Sequence, residues 1–313
     1  MNSIFAVCAA TVFLQPPPGP SVIPQPVRLV FGATGQDAPI DFVINDLRGK
    51  DVVVLGEEHD NTPGHRYFAE FIARLHRARP DLAISMEQFE RDVQGVVNDY
   101  VSGRVDESVF LKHSRPWKNY ASDYKPQIEL AKKYRLDVIA GNIPRPVASR
   151  YVSSDNPIAL FKPAMTTAPS DAYWVAFKET MKGHPGTPGG PTVEGMYRAQ
   201  CAKDDAMAES IADYLASRPH RKPLVVHRCG NFHCDHGLGT VSRLLQRSPL
   251  SQVAVVSMAS VANVDQPDLS KLLGKAHYLL IVPQMPKPPA PPKTAAPPAK
   301  SEASLKKTEP PKK

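Results

Sequence analysis

The sequence predicts an α/β protein: a mainly parallel sheet flanked by helices, with a helical subdomain inserted over the carboxyl ends of the strands. Three observations predict it. Short β-branched runs such as Val52-Val53-Val54-Leu55 and Leu224-Val225-Val226 alternate with longer stretches of helical period, the pattern of strand-helix-strand crossovers. Each of these two runs is followed by Gly-x-x-His, as Gly56-Glu57-Glu58-His59 and Gly230-Asn231-Phe232-His233. A glycine lets the backbone turn sharply at a strand's end, so both histidines stand at the sheet edge where open α/β folds bind ligands. The alternation then stops over residues 145–221, which marks the insertion.

Residues 38–48 read as a short helix closed by Gly49, and residues 51–56 as the first strong strand. A helix over 62–79 places Phe68, Phe71, Ile72 and Leu75 on one face and stops at Pro80. Leu82-Ala83-Ile84-Ser85-Met86 is the second strand and delivers Glu87. Polar helical segments at 90–103 and 107–112 lead to a loop with Trp117 and Tyr120, then a helix over 124–134 and a third strand at 136–140. Inside the insertion a Pro/Gly loop, 183–191, precedes a helix over 194–217. The sheet resumes at 224–226, followed by a helix at 238–246 and strands at 253–256 and 278–282.

The 313 residues carry a net charge of +7, but residues 283–313 hold seven lysines against Glu302 and Glu309. The folded part is therefore close to neutral, and a nucleic-acid partner is not expected. That Pro/Ala/Lys-rich tail cannot build a core; it reads as a disordered, extended spacer whose lysines offer a weak contact to the cell envelope. Residues 1–20 read as a signal segment with a Pro-rich leader, because the run from Ile4 to Leu14 is apolar but too short to span a bilayer. Export to the periplasm or cell envelope is expected. Lipid anchoring at Cys8 is not, since Val7 stands where a small residue belongs. Cys201, Cys229 and Cys234 read as buried small hydrophobes.

Glu57, His59, Glu87 and His233 are the candidate chemical residues, all at strand ends. Two imidazoles and two carboxylates suit a divalent metal such as Zn or Mn, with Glu57 or Glu87 left as general base; without metal they suit proton transfer. Placing ionisable groups at the ends of apolar strands costs desolvation that a purely structural role does not require. His65, on the first turn of the helix at 62–79, reads as a surface residue or a further member.

The string Leu55-Gly56-Glu57-Glu58-His59-Asp60-Asn61 with His65 resembles the opening motif of the ChaN-like haem-binding uptake proteins, part of the superfamily of Tiki metalloproteases and erythromycin esterases. Collinear matches follow: Ser85-Met86-Glu87-Gln88-Phe89-Glu90-Arg91-Asp92, Tyr124-Lys125-Pro126, Ala140-Gly141-Asn142-Ile143-Pro144-Arg145, Ala199-Gln200, Asp204-Asp205-Ala206-Met207-Ala208 and Gly230-Asn231-Phe232-His233. The resemblance implies an α/β fold with a helical subdomain in an extracytoplasmic protein that binds haem or an iron porphyrin for iron uptake; a homodimer is a separate expectation. Hydrolytic relatives use the positions matching Glu57, His59, Glu87 and His233, so a metal-dependent hydrolase is the alternative. Haem needs an apolar slot and an axial donor. The insertion offers Tyr197 first and His184 second, with Tyr173, Trp174 and Met196 beside them.

Overall fold

The strands carrying the two Gly-x-x-His strings are hydrogen-bonded neighbours. They run parallel, with Gly56 opposite Cys229 and Glu57 opposite Gly230. The computed structural model describes residues 27–153, 160–165, 171–182 and 190–286. The expected signal segment, most of the Pro/Gly loop with His184, and the tail beyond Pro286 lie outside the described residues.

Along the chain the elements are β1 (Arg28–Phe31), α1 (Ile40–Leu47), β2 (Val52–Glu57), α2 (Thr62–Ala78), β3 (Leu82–Glu90), α3 (Gln94–Val101), α4 (Glu107–Ser114), α5 (Lys125–Tyr134), β4 (Val138–Asn142), α6 (Arg145–Ser153), α7 (Asp171–Met181), α8 (Val193–Ala216), β5 (Leu224–Gly230), α9 (Gly239–Arg247), β6 (Val253–Val261) and β7 (Tyr278–Pro283). They build one sheet in the order β1-β7-β6-β2-β5-β3-β4. Every pairing is parallel except β1 with β7. The α/β expectation holds. The sequence predicts nothing at β1, because four residues on an antiparallel edge are too few to show a period.

The sheet is buried on both faces because alternate side chains of each strand point to opposite sides. From β2, Val53 and Leu55 enter a core with Phe68, Phe71, Ile72 and Leu75 of α2, while Val52 and Val54 meet Met207 and Ile211 of α8 and Val241 and Leu244 of α9. Each of those large side chains contributes about 1.5–3 kcal/mol on burial. Helix α2 starts where Asn61 accepts from the Gly64 N–H at 3.1 Å and Pro63 occupies the first turn. The Asn61 amide also donates to the Pro283 carbonyl, tying this start to the last strand.

Several strand boundaries differ from expectation, β6 for one reaching Val261, and two of the differences matter for the site. Strand β3 does not end at Met86 but continues through Glu87 to Glu90, with its register to β4 slipping between Met86 and Glu90. Strand β5 continues past Val226 and takes His227 and Arg228 into the sheet, both fully buried. Polar residues hid these extensions, since their cost is offset by partners distant in sequence. Between β4 and β5 the described residues form α6, α7 and α8; Arg198 of α8 donates to the carbonyls of Tyr151 and Val152 in α6. Among the described residues no helix is long and apolar enough to cross a membrane.

Candidate functional site

Strand β5 lies between β2 and β3, so Glu57, His59, Glu87 and His233 gather at one edge of the sheet. They form two joined networks rather than one ring of ligands. In the first, Glu57 is buried and accepts at Oε1 from the Tyr124 hydroxyl at 2.6 Å, the Gln88 amide at 3.0 Å and His59 Nδ1 at 3.1 Å. Its Oε2 meets the Arg228 guanidinium and lies 3.5 Å from His65 Nδ1. Burial pushes the Glu57 carboxyl up, but Arg228 and the histidines more than offset it and hold the pKa at about 2. Arg228 itself lies between the faces of Phe68 and Tyr124, at 5.0 and 5.9 Å.

In the second network His233 sits between two carboxylates, with Nδ1 2.7 Å from Asp204 and Nε2 3.3 Å from Glu87. Burial works to neutralise the ring, yet Glu87 and Asp204 raise its pKa to about 10. Glu87 is held well below the usual carboxylate range: burial opposes this, and His233 outweighs it. Asp204, from the middle of α8, also accepts from Tyr173 at 2.6 Å and Thr240 at 2.8 Å. The Gly230 N–H donates to Glu87 at 2.7 Å and connects the halves. A Cβ on Gly230 would stand 2.9 Å from the His59 ring, which would have to shift, whereas Glu87 at 3.7 Å would be in ordinary contact.

His59 differs from the rest. Its side chain is 46% exposed, its ring meets Trp117 edge-on at 4.9 Å, and its pKa is raised: burial lowers it, while the bond to Glu57 more than compensates. His65 is no surface residue; it is buried, donating from Nε2 to the His59 carbonyl at 3.1 Å.

The expected Zn or Mn set of Glu57, His59, Glu87 and His233 does not assemble. Among the described residues no group of three His, Cys, Asp or Glu side chains is arranged to hold a metal ion. The carboxylate lone pairs are taken by Arg228, Tyr124, Gln88, the Gly230 N–H and His233. Tyr197 is 5% exposed and packed among Tyr173, Trp174 and Phe177, so it belongs to an aromatic core under the insertion. His184 lies outside the described residues.

Sequence reasoning missed Arg228, Tyr124, Asp204 and Gln88 as site residues. A visible signal existed for Arg228: a cation inside the run Leu224-Val225-Val226-His227-Arg228-Cys229 needs a buried counter-charge. For Asp204 the pointer was its place in the matched string Asp204-Asp205-Ala206-Met207-Ala208, since a polar residue in a long helix ordinarily faces water.

Over this edge lies a cleft of about 880 Å³, within the range of small-molecule sites. Glu87 contributes to its lining; Pro116, Trp117, Ile143, Pro146, Ala148 and Val152 give it apolar walls; and Arg115, Lys118, Arg145 and Lys203 supply cations. Arg115 is spent on Glu90 and Asp92 at 2.8 and 2.6 Å. Lys118, Arg145 and Lys203 have no ion-pair partner among the described residues. A second cavity of about 930 Å³, along the outer edge of β4, holds none of the strand-end residues.

A family model described as haem-binding uptake, Tiki superfamily, ChaN, matches residues 43–244. Among solved structures, ChaN of Campylobacter jejuni, described for its cofacial haem binding, superposes with a TM-score of 0.64 at 16% identity, over 82% of this chain and 96% of that one. An erythromycin esterase mutant in its open conformation gives 0.45 at 11% identity over 76% and 78%, and a bacterial type III effector 0.42 at 12% over 83% and 98%. No curated protein matches significantly. The Campylobacter match shows the shared fold, and the family model, which spans more than half of the sequence, shows that the chain belongs to the ChaN family of haem-binding uptake proteins.

Proposed function

We propose that this protein binds haem or a related iron porphyrin noncovalently in the cleft over the strand ends, outside the cytoplasm, as a step in iron acquisition. The observation that carries the reading is the make-up of the cleft in a chain of this family. A porphyrin with two propionates wants flat apolar walls and unspent cations at the rim. Trp117, Pro116, Pro146 and Ile143 supply the first, and Lys118, Arg145 and Lys203 the second. Bound iron would supply an electrophilic centre; the chain's residues orient the ring and exclude water from it. Export rests on the apolar stretch after Ile4, and a second copy of the chain is the partner that would cover the ligand's outer face.

Haemin added stepwise to the purified full chain is expected to give a saturable shift of the Soret band, weakened at least tenfold by the joint substitution Lys118→Glu and Lys203→Glu. A featureless, non-saturating titration would remove the reading. Sedimentation with and without haemin tests for pairing of copies.

A second reading, hydrolysis without a metal, is favoured by the hydrogen-bonded His59 and Glu57 pair beside the cleft. In it His59 takes the proton. Glu57 and Glu87 are held ionised far below neutral pH and are weak bases there, whereas His59 has a half-exposed ring and a pKa raised from 6.5. Turnover of ester substrates, abolished by His59→Ala, is its test.

A further inference from the structure

Two of the three described cysteines meet beneath the strand ends. Cys229 lies on β5 directly opposite Gly56 of β2, so both positions face one side of the sheet, towards α8 and α9. The chain then passes Gly230 and a short turn over Asn231–His233, closed by the Cys234 N–H donating to the Asn231 carbonyl at 3.0 Å. That turn returns Cys234 to the same face, in one buried cluster with Cys229, Met207 and Val241. Its sulfur fills the place that a side chain at position 56 would take: a Cβ on Gly56 would stand 2.5 Å from Cys234 Sγ. Adjacent strands are about 4.8 Å apart, so a sulfur in the Gly56 slot stands beside the Cys229 side chain. Burial first, and the Cys234 thiol within bonding reach second, push the Cys229 thiol well above its usual range. Both residues are fully buried. Cys201 lies apart, in the aromatic cluster with Tyr173 and Tyr197. Two small apolar side chains would fill the same space; two thiols add the capacity to bond.

We propose that Cys229 and Cys234 are a disulfide site whose closure staples the His233 turn to β5. The segment between them holds Gly230, whose N–H donates to Glu87, and His233, which sits between Glu87 and Asp204. The bond therefore fixes the backbone that carries this ion-paired network, whatever the cleft binds.

Closure is an exchange with a protein or small-molecule disulfide as oxidant. One cysteine thiolate attacks a sulfur of the oxidant and releases a first thiolate; the other cysteine attacks the mixed disulfide, forms the Sγ–Sγ bond and releases the second. Two cysteine thiols are oxidised, the oxidant is reduced to two thiols, and the two protons pass to them. Because both sulfurs are buried in the folded chain, the exchange takes place during folding, before the turn closes over Gly56.

The test produces the full chain in a bacterial host twice: directed by a fused signal to the periplasm, where folding meets disulfide oxidants, and retained in the reducing cytoplasm. Each folded product is denatured in N-ethylmaleimide and digested with trypsin, which leaves both cysteines on the peptide of residues 229–243. That peptide is expected unlabelled and lighter by a pair of hydrogens in the periplasmic product, and doubly labelled in the cytoplasmic one, with Cys201 labelled in both. The periplasmic product should melt at least about 4 °C higher, a difference that Cys234→Ser removes. Double labelling of the peptide in the folded periplasmic product overturns the inference, as does pairing of either residue with Cys8 or Cys201. A bonded product that melts no higher than the reduced one also overturns it, since the bond would then constrain nothing native. The labelling result stands on the wild-type chain alone, so it decides the matter even where Cys234→Ser fails to fold.

Discussion

Arg228 is the residue on which the strand-end chemistry turns. It is fully buried, 171 residues from Glu57 in sequence, and faces Glu57, His65 and two aromatic rings. A buried ion pair is not in itself stabilising, yet removing one partner strands the other's charge, at about 3–5 kcal/mol. Arg228→Met is therefore expected to lower unfolding stability by about 3–5 kcal/mol in urea titration, and the double variant with Glu57→Gln to recover much of that loss. Equal stability of the single variant and wild type would show that Glu57 is not held by this cation. His59, two residues beyond Glu57, inherits its orientation from the same pair.

At the scale of elements, the outer edge of β4 shows how the sheet ends. An edge strand presents unpaired backbone groups to other chains. Here the Gln94 side chain acts as a short pairing strand: its amide donates to the Val138 carbonyl at 2.7 Å and accepts from the Ala140 N–H at 2.7 Å. The neighbouring cavity lets water replace these bonds, so Gln94→Ala is expected to cost only about 1 kcal/mol. Hydrogen exchange at the Ala140 amide should accelerate at least tenfold; unchanged protection would mean that Gln94 does not close the edge. Helix α8 is the other decisive element. Thr192 caps its first turn, accepting from the Gly195 N–H at 3.0 Å, and its length carries Asp204 to His233.

For the whole molecule, the buried charges set a pH profile. His233 has its pKa raised from 6.5 to about 10, so its contribution is complete below 6.5 and is lost as pH rises towards 10. His227, buried and lowered to about 4, and His65, also lowered, work the other way: the unfolded chain takes up their protons below 6.5, and stability falls with pH. Glu57, lowered from 4.5 to about 2, and Glu87 add a steeper loss below 4.5. Unfolding free energy measured by denaturant from pH 3 to 10 is expected to peak near 6.5 and fall on both sides. A profile still rising through pH 9 would contradict the charged His233 between Glu87 and Asp204.

The sequence by itself determined the parallel α/β class, most of the strands and helices, and the two histidine-bearing strand ends, because hydrophobic period and Gly-x-x-His are local signals carried by neighbouring residues. Only the tertiary structure decided that β2 and β5 are adjacent, that β3 slips its register between Met86 and Glu90, that Tyr197 is buried, that Arg228 takes up a Glu57 lone pair and that His233 is held between Asp204 and Glu87. Crossovers bring those groups together from distant segments. A buried charge can be seen in a sequence, but its partner is chosen by packing.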